Sequence, residues 1–447
     1  MGKASAGKPR LARIGVLLLC ASGAAVVLES KSTAAEPAAA GVSLHCAILT
    51  LDSHIDVPDG FATDEIDPAA DGSAQFTLPR MERGCLDAVF LVAAVGQNRR
   101  TPAQYRQAWD QAGRMIAGIH RMARQHPDRV AIARTADDVV RIVAEGRHAV
   151  LLGVENGYPI GTDLHRLSEL FDQGVRYITL THTGHNAIAD SSVPIEELGD
   201  ALEEHGGLSE FGRRVIAEMN RLGIMVDVSH VSKKTALQAI AASRVPVIAS
   251  HSAVRSLADT PRNMDDEQLQ ALALRGGVVQ VVGYSDYIKR NSEAKNRAIA
   301  KAGESLGLVG PMAWAQVSNA VLVAYGQRLV ELDRQWPRAT VSDYVDHIEY
   351  VVKRVGIDHV GIGSDFYAGG GAASGGLAGW MDVSEGSHIT EELLRRGHGE
   401  QDIAKIWGGN LLRVMRETER AAGSAPRELR TNTGPRPGLT HWEIANE

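Results

Sequence analysis

The chain has 447 residues, 44% of them hydrophobic, enough to bury a large core. A formal net charge of −7 with no long basic block excludes the clustered Lys and Arg footprint of a nucleic-acid-binding domain. Aromatic residues make up only 5%, so the core has to be aliphatic.

The N-terminus reads as an export signal. Lys3, Lys8, Arg10 and Arg13 precede the uncharged run from Ile14 to Leu28, and Ser32-Thr33-Ala34-Ala35 supplies small residues for cleavage. The apolar run is about 15 residues, short of the ~20 that a spanning helix needs. Residues 1–35 are therefore assigned to a signal peptide, with an uncleaved membrane anchor as the alternative, and the protein is expected in the periplasm or outside the cell. Cys20 after Leu17-Leu18-Leu19 fits a lipoprotein cleavage site poorly. Cys46 and Cys85 remain beyond the signal, as a disulfide or as two separate thiols. Without a Cys cluster a thiolate zinc site is excluded. The Ala-rich residues 36–45 read as a linker.

Strand and helix patterns then alternate over residues 46–420. Strands are expected at Ala47–Asp52, Ala88–Val95, Ala149–Val154, Arg176–Thr181, Ile224–Val228, Pro246–Ser250, Val278–Val282 and His359–Gly363. Most are short, continuous β-branched runs, as when both faces of a sheet are covered. Helical periodicity lies between them, at Tyr105–Arg124, Leu208–Leu222, Thr235–Ala242, Asp266–Leu274 and Asp343–Arg354. This alternation predicts an α/β fold of a single domain, an eight-stranded parallel β/α barrel of TIM type with helical insertions. A doubly wound open sheet is the runner-up, but no G-x-G-x-x-G follows the first strand. Residues 284–340 form an insertion after strand seven, expected to be helical and near the site mouth. The Gly-rich loop Ala368–Gly379 is expected over the site, and residues 421–447, with Pro426, Pro435 and Pro437, read as a weakly ordered tail.

The chemistry lies where the expected strands stop, which is where β/α barrels build their sites. Strand one leads into His54 and Asp56, strand three into Glu155, strand four into His182, strand five into His230, strand six into His251 and strand eight into Asp365. His-x-Asp points both side chains one way along a strand. Imidazole with carboxylate suits zinc and related divalent ions. His54, Asp56, Glu155, His230 and His251 exceed what one tetrahedral ion uses, so a bridged pair of ions is expected, with a water activated between them. Glu155 is the best bridge, because a carboxylate has two oxygens to share.

These motifs together resemble the membrane (renal) dipeptidase family of zinc hydrolases, over roughly residues 48–418. Asp52-Ser53-His54-Ile55-Asp56 looks like its first ligand pair, and Gly153-Val154-Glu155 like its bridging glutamate. Arg176-Tyr177-Ile178-Thr179-Leu180-Thr181-His182 is similar to the strand whose histidine contacts substrate. Val228-Ser229-His230 and Ser250-His251-Ser252 match the histidines of the second metal. Arg262-Asn263 matches the substrate-binding arginine, Gly363-Ser364-Asp365-Phe366 the strand-eight aspartate and Gly408-Gly409-Asn410-Leu411 the closing helix.

The resemblance implies two Zn2+ per chain, one on His54, Asp56 and Glu155, the other on Glu155, His230 and His251. A bridging hydroxide would attack the peptide carbonyl of a dipeptide. His182 would donate to the oxyanion, Asp365 would carry the proton to the leaving amine, and Arg262 would grip the substrate carboxylate. A homodimer is suggested by the resemblance alone.

Four departures border the pocket. Asn156-Gly157-Tyr158 stands where Gly-Gly-His is usual, Thr183-Gly184-His185-Asn186 where an Asn-rich string is usual, and Tyr367-Ala368 where Asp-Gly is usual, and the strand-seven loop is long. They bear on substrate identity more than on metal binding. Another barrel amidohydrolase, acting on a cyclic amide, lactone or modified dipeptide, is the alternative. Those enzymes commonly use His-x-His and a modified lysine, and neither motif is present at the corresponding strand ends here. His165 and His185 are expected to be structural or solvated, Asp227 a buried hydrogen-bonding group, and Met219, Met225 and Met264 core filler.

Overall fold

The structure is a computed structural model that describes residues 37–315, 317–370 and 375–423. The expected signal and most of the expected tail lie outside the described residues. Among the described residues there are ten strands: β1 Leu51–Val57, β2 Ala88–Ala94, β3 Val130–Ile132, β4 His148–Glu155, β5 Val175–Thr179, β6 Met225–Asp227, β7 Ile248–Ser252, β8 Val278–Val282, β9 Val360–Gly363 and β10 Phe366–Tyr367. Every pairing between them is parallel.

β9 and β10 are two halves of one stave, broken at Ser364-Asp365. β9 pairs with β8, and β10 pairs with β1 through Ile55↔Phe366 and Asp56↔Tyr367. The ring is thereby closed into the expected eight-stave barrel, with the short β3 as an extra strand beside the start of β4.

Side chains alternate across the staves, as a strand period of two requires. Ala88, Phe90 and Val92 of β2 join Leu151, Tyr177, Met225, Ile248 and Val278 in an inner cluster. Val89, Leu91, Val150, Leu152, Ile178 and Val226 face the surrounding helices in an outer one. Leu411, Leu412 and Met415 of the helix Asn410–Gly423 complete the inner cluster from below, where the staves begin. The opposite end, where the staves stop, is left to polar residues.

Two expectations are corrected. The first strand runs over Leu51–Val57, not Ala47–Asp52, so His54 and Asp56 lie within it rather than after it. The expected linker at 36–45 is largely a helix, Pro37–His45. Alanine is the best helix former, and His45 anchors this helix through Thr390 and the carbonyl of Gly84. Cys46 and Cys85 form a disulfide with a Cα–Cα distance of 5.1 Å.

The insertion is helical as expected, with helices Ser285–Ile288, Glu293–Glu304, Gly310–Ala315 and Asn319–Asp333. Among the described residues no helix is long and apolar enough to cross a membrane.

Candidate metal centre

Every polar residue singled out at a strand end reaches the same end of the barrel. Glu155, 3% exposed at the last position of β4, is the hub. Its Oε1 lies 3.0 Å from His230 Nε2, 3.1 Å from His251 Nε2 and 3.8 Å from His54 Nε2. His230 Nε2 and His251 Nε2 are 2.8 Å apart, and His54 Nε2 is 3.3 Å from Asp56 Oδ1. Asp365 clusters with His54 and Asp56. His182 stands at the mouth, 36% exposed, with Nε2 4.0 Å from Glu155 Oε2.

Backbone strain marks the same rim. Among the described residues five non-glycine residues have positive φ, and Asn156, His230 and Asp365 are three of them. A left-handed residue of this kind costs roughly 1–2 kcal/mol. The break between β9 and β10 is held by the Asp365 amide donating to the His54 carbonyl at 3.0 Å. Below it, Asp52 Oδ1 accepts from the amides of His54 and Ser364.

The imidazole tautomers follow from hydrogen bonds behind the centre. Asp227 accepts from the amides of Ser229 and Ser250 and from the hydroxyls of Thr179 and Ser250. The only proton of Ser250 Oγ is thus committed to Asp227, so its oxygen, 2.8 Å from His251 Nδ1, accepts from that ring. Tyr177 Oη donates to the Ser53 carbonyl at 3.1 Å and accepts from His54 Nδ1 at 2.8 Å. In its neutral form each ring therefore keeps its proton on Nδ1, which leaves Nε2, on the Glu155 side, as the atom free to ligate. Tyr177 reaches across the barrel because residue 153 is glycine: a Cβ there would lie 2.6 Å from Tyr177 Cζ.

The donor set fits divalent cations. Among the described residues His54 Nε2, Asp56 Oδ1 and Glu155 Oε1 are buried without a hydrogen-bond partner, although all three point into one space. The triangle of Glu155 Oε1, His230 Nε2 and His251 Nε2 has edges of 2.8–3.1 Å, close to the roughly 3.3 Å edge of a tetrahedral site with ~2.0 Å bonds. Protonation equilibria show the same crowding. Burial, with Asp56 and Glu155 adding to it, pushes Asp365 up to about 8. Burial would raise Glu155 as well, but His182, His230 and His54 hold it well below the usual range. Burial depresses His54, and Glu155, Asp56 and Asp365 overcome it to lift that ring to about 10. A bound cation would reverse this balance.

Arg262 is buried beside His251. Its guanidinium donates to Ser252 Oγ at 2.9 Å and to the His251 carbonyl at 2.6 Å, and lies 5.3 Å from the ring centroid of Tyr287. Its Nε is buried and has no partner among the described residues.

The family model for membrane dipeptidase (peptidase family M19) matches residues 40–428. The chain belongs to this family. As a member it is a metal-dependent hydrolase of dipeptides. It is 33% identical to dipeptidase aclJ of Aspergillus oryzae over 354 residues, 78% of this chain and 71% of that one. It is 32% identical to dipeptidase ataJ of Aspergillus terreus over 404 residues, 85% and 87% of the two chains. Among solved structures it is similar to the probable dipeptidase PvdM from Pseudomonas aeruginosa, with 35% identity and a TM-score of 0.75, covering 86% of this chain and 99% of that one.

This membrane dipeptidase family member uses residues that the sequence did not flag as parts of the site. Tyr177 and Ser250 orient two imidazoles, and Asp52 braces the strand break. A tyrosine and a serine inside strands read as core, and only their cross-barrel hydrogen bonds reveal the role. Asp227 is the buried hydrogen-bonding group expected. His185 is structural, accepting from the Ser191 amide and bonding the Ala201 carbonyl, and His165 is exposed. Met219, Met225 and Met264 are core.

Proposed function

We propose that the protein is a dizinc dipeptidase, with His54, Asp56 and Glu155 serving one ion and Glu155, His230 and His251 the other. One observation carries this reading: a single carboxylate oxygen, Glu155 Oε1, lies within 3.8 Å of three imidazole nitrogens drawn from three different staves. Bound divalent ions supply Lewis acidity and a water acidic enough to react near neutral pH.

The remaining work falls to the chain. Arg262 holds the substrate carboxylate, with its guanidinium fixed by Ser252 and His251. His182, at the mouth, donates to the carbonyl oxygen as the tetrahedral carbon forms. Asp365 takes the proton of the attacking water and returns it to the departing amine. Its burial between Asp56 and Glu155 favours holding a proton. Export is the companion proposal, supported by the Cys46–Cys85 disulfide, since such bonds persist in oxidising compartments.

The test is metal analysis with a dipeptide panel. About two zinc ions per chain and hydrolysis abolished by Glu155→Ala are expected. Metal content near zero after zinc loading, or hydrolysis indifferent to Glu155→Ala, would overturn the reading.

A further inference from the structure

The helix Val341–Val355 buries a largely apolar face against the barrel, and that face carries a tyrosine and a histidine. Tyr344 Oη donates to the Val281 carbonyl at 2.8 Å and ties the helix to β8 itself. His347, 1% exposed, meets backbone beyond the ends of two staves. Its Nδ1 lies 3.0 Å from the amide nitrogen of Val254, just after β7. Its Nε2 lies 2.9 Å from the carbonyl oxygen of Ile288, the last residue of the helix Ser285–Ile288 that follows β8. An amide nitrogen only donates and a carbonyl only accepts. The ring is therefore neutral, with Nδ1 accepting from Val254 and the proton on Nε2 donated to Ile288. Burial, partly offset by the Ile288 carbonyl, holds the ring below its ordinary value and favours that neutral form.

These two backbone groups belong to the segments that place Arg262. Val254 opens the loop that carries the arginine. That loop is closed by the Met264 amide donating to the Ala253 carbonyl at 2.9 Å and the Arg255 amide to the Met264 carbonyl at 2.8 Å. Ile288 follows Tyr287, whose ring centroid lies 5.3 Å from the Arg262 guanidinium. Asn263 joins the two segments, with Nδ2 donating to the Ala258 carbonyl at 2.9 Å and to the Tyr287 carbonyl at 2.8 Å. Arg262 is thus set between a loop and a ring that Asn263 fastens to each other. His347 fastens both to an outer helix of the barrel.

We propose that His347 is a positioning residue for substrate recognition: by accepting from Val254 and donating to Ile288 it fixes the Arg262 loop against the Tyr287 helix, and so the point at which a dipeptide's free carboxylate is read. This rests on the dipeptidase reading, in which Arg262 binds that carboxylate. A neutral imidazole suits the task because acceptor and donor sit on one rigid ring. The side-chain oxygen of asparagine can stand near the Nδ1 position and the side-chain nitrogen of glutamine near the Nε2 position, so each replaces one half of the link. Leucine replaces neither.

The experiment measures kcat and KM of the zinc-loaded full chain on a dipeptide panel, and zinc affinity by chelator competition. His347→Asn and His347→Gln should each raise KM about fivefold, the fold-change of one neutral hydrogen bond, and His347→Leu about 25-fold. In all three kcat should stay within about twofold of the parent, the mark of lost uniform binding, and zinc affinity should be unchanged. In the Arg262→Ala background the Asn and Gln changes should cost less than about twofold in kcat/KM, because no guanidinium is left to place. An unchanged KM in the Asn and Gln variants, a fall in kcat in place of the rise in KM, lost zinc affinity, or losses that add to that of Arg262→Ala would overturn the proposal. Should His347→Leu fail to fold, the two carboxamide variants decide alone. Failure of the parent to hydrolyse any dipeptide would instead defeat the dipeptidase reading.

Discussion

Tyr177 Oη lies 2.8 Å from His54 Nδ1, across the barrel from β5 to β1. The hydroxyl gives its own proton to the Ser53 carbonyl, so the ring must keep a proton on Nδ1, and Nε2 is the nitrogen that gives up its proton to a metal. Outer partners of this kind are worth about 10–100-fold in metal affinity. Tyr177→Phe should weaken zinc binding by that factor, read by chelator competition, while the circular dichroism spectrum stays that of the parent. Unchanged zinc affinity would show that the hydroxyl only fills space.

Gly153 makes this contact attainable. A Cβ there would meet Tyr177 Cζ at 2.6 Å and Cε1 at 2.9 Å, closer than carbon atoms approach without displacement. Gly153→Ala should shift the tyrosine off His54 and lower zinc affinity at least as much as Tyr177→Phe. In the Tyr177→Phe background the alanine should cost little further affinity, because the two changes break one contact. Additive losses would sever the link between the two residues.

Much of the barrel was legible because both faces of its staves are buried. β8 coincides with its expected run, and β2 and β4 differ by a residue at one or both ends. β1 was misplaced because Ser53, His54 and Asp56 interrupt the apolar pattern, although they face the centre from within a strand. The stave break at Asp365 depends on a left-handed aspartate, which no pattern announces. The ligands stood out because charged or ionisable side chains are rare where staves end in apolar surroundings.

The Cys46–Cys85 bond closes a loop 39 residues apart in sequence, tying the helix Pro37–His45 to the entry of β2. In the chain-entropy account a loop of this size is worth about 4 kcal/mol. Cys46→Ser/Cys85→Ser should lower the unfolding free energy in urea by roughly 2–4 kcal/mol with zinc content unchanged. A midpoint equal to the parent's would show that the crosslink is energetically idle.

His45 gives the fold an acid-sensitive joint. Its Nε2 bonds the Gly84 carbonyl and its Nδ1 lies 2.8 Å from Thr390 Oγ1. Burial, only partly offset by the Gly84 carbonyl, depresses the ring to about 4. Because the folded ring titrates below its ordinary 6.5, the unfolded chain binds more protons between these values. Stability is therefore full above about 6.5 and falls as pH drops toward 4, by about 3 kcal/mol for the 2.5-unit difference. His45→Leu should flatten that part of the urea-midpoint profile relative to the parent. Parallel profiles for the two proteins would refute it.

The centre itself should release protons when it takes up metal. In the metal-free chain His54 is lifted to about 10 by Glu155, Asp56 and Asp365 against the pull of burial, and Asp365 is raised to about 8 by burial and its acidic neighbours. At pH 7 both therefore hold a proton that a cation must displace, from His54 Nε2 by direct competition and from Asp365 by repulsion. Binding should release between one and two protons near pH 7, and zinc affinity should climb as pH rises from 6 to 8. Isothermal titration of metal-free protein in buffers of different ionisation enthalpy reads the proton count directly. Zinc uptake with no proton release and a flat affinity over that interval would mean that the imidazole and the carboxylates do not share one site.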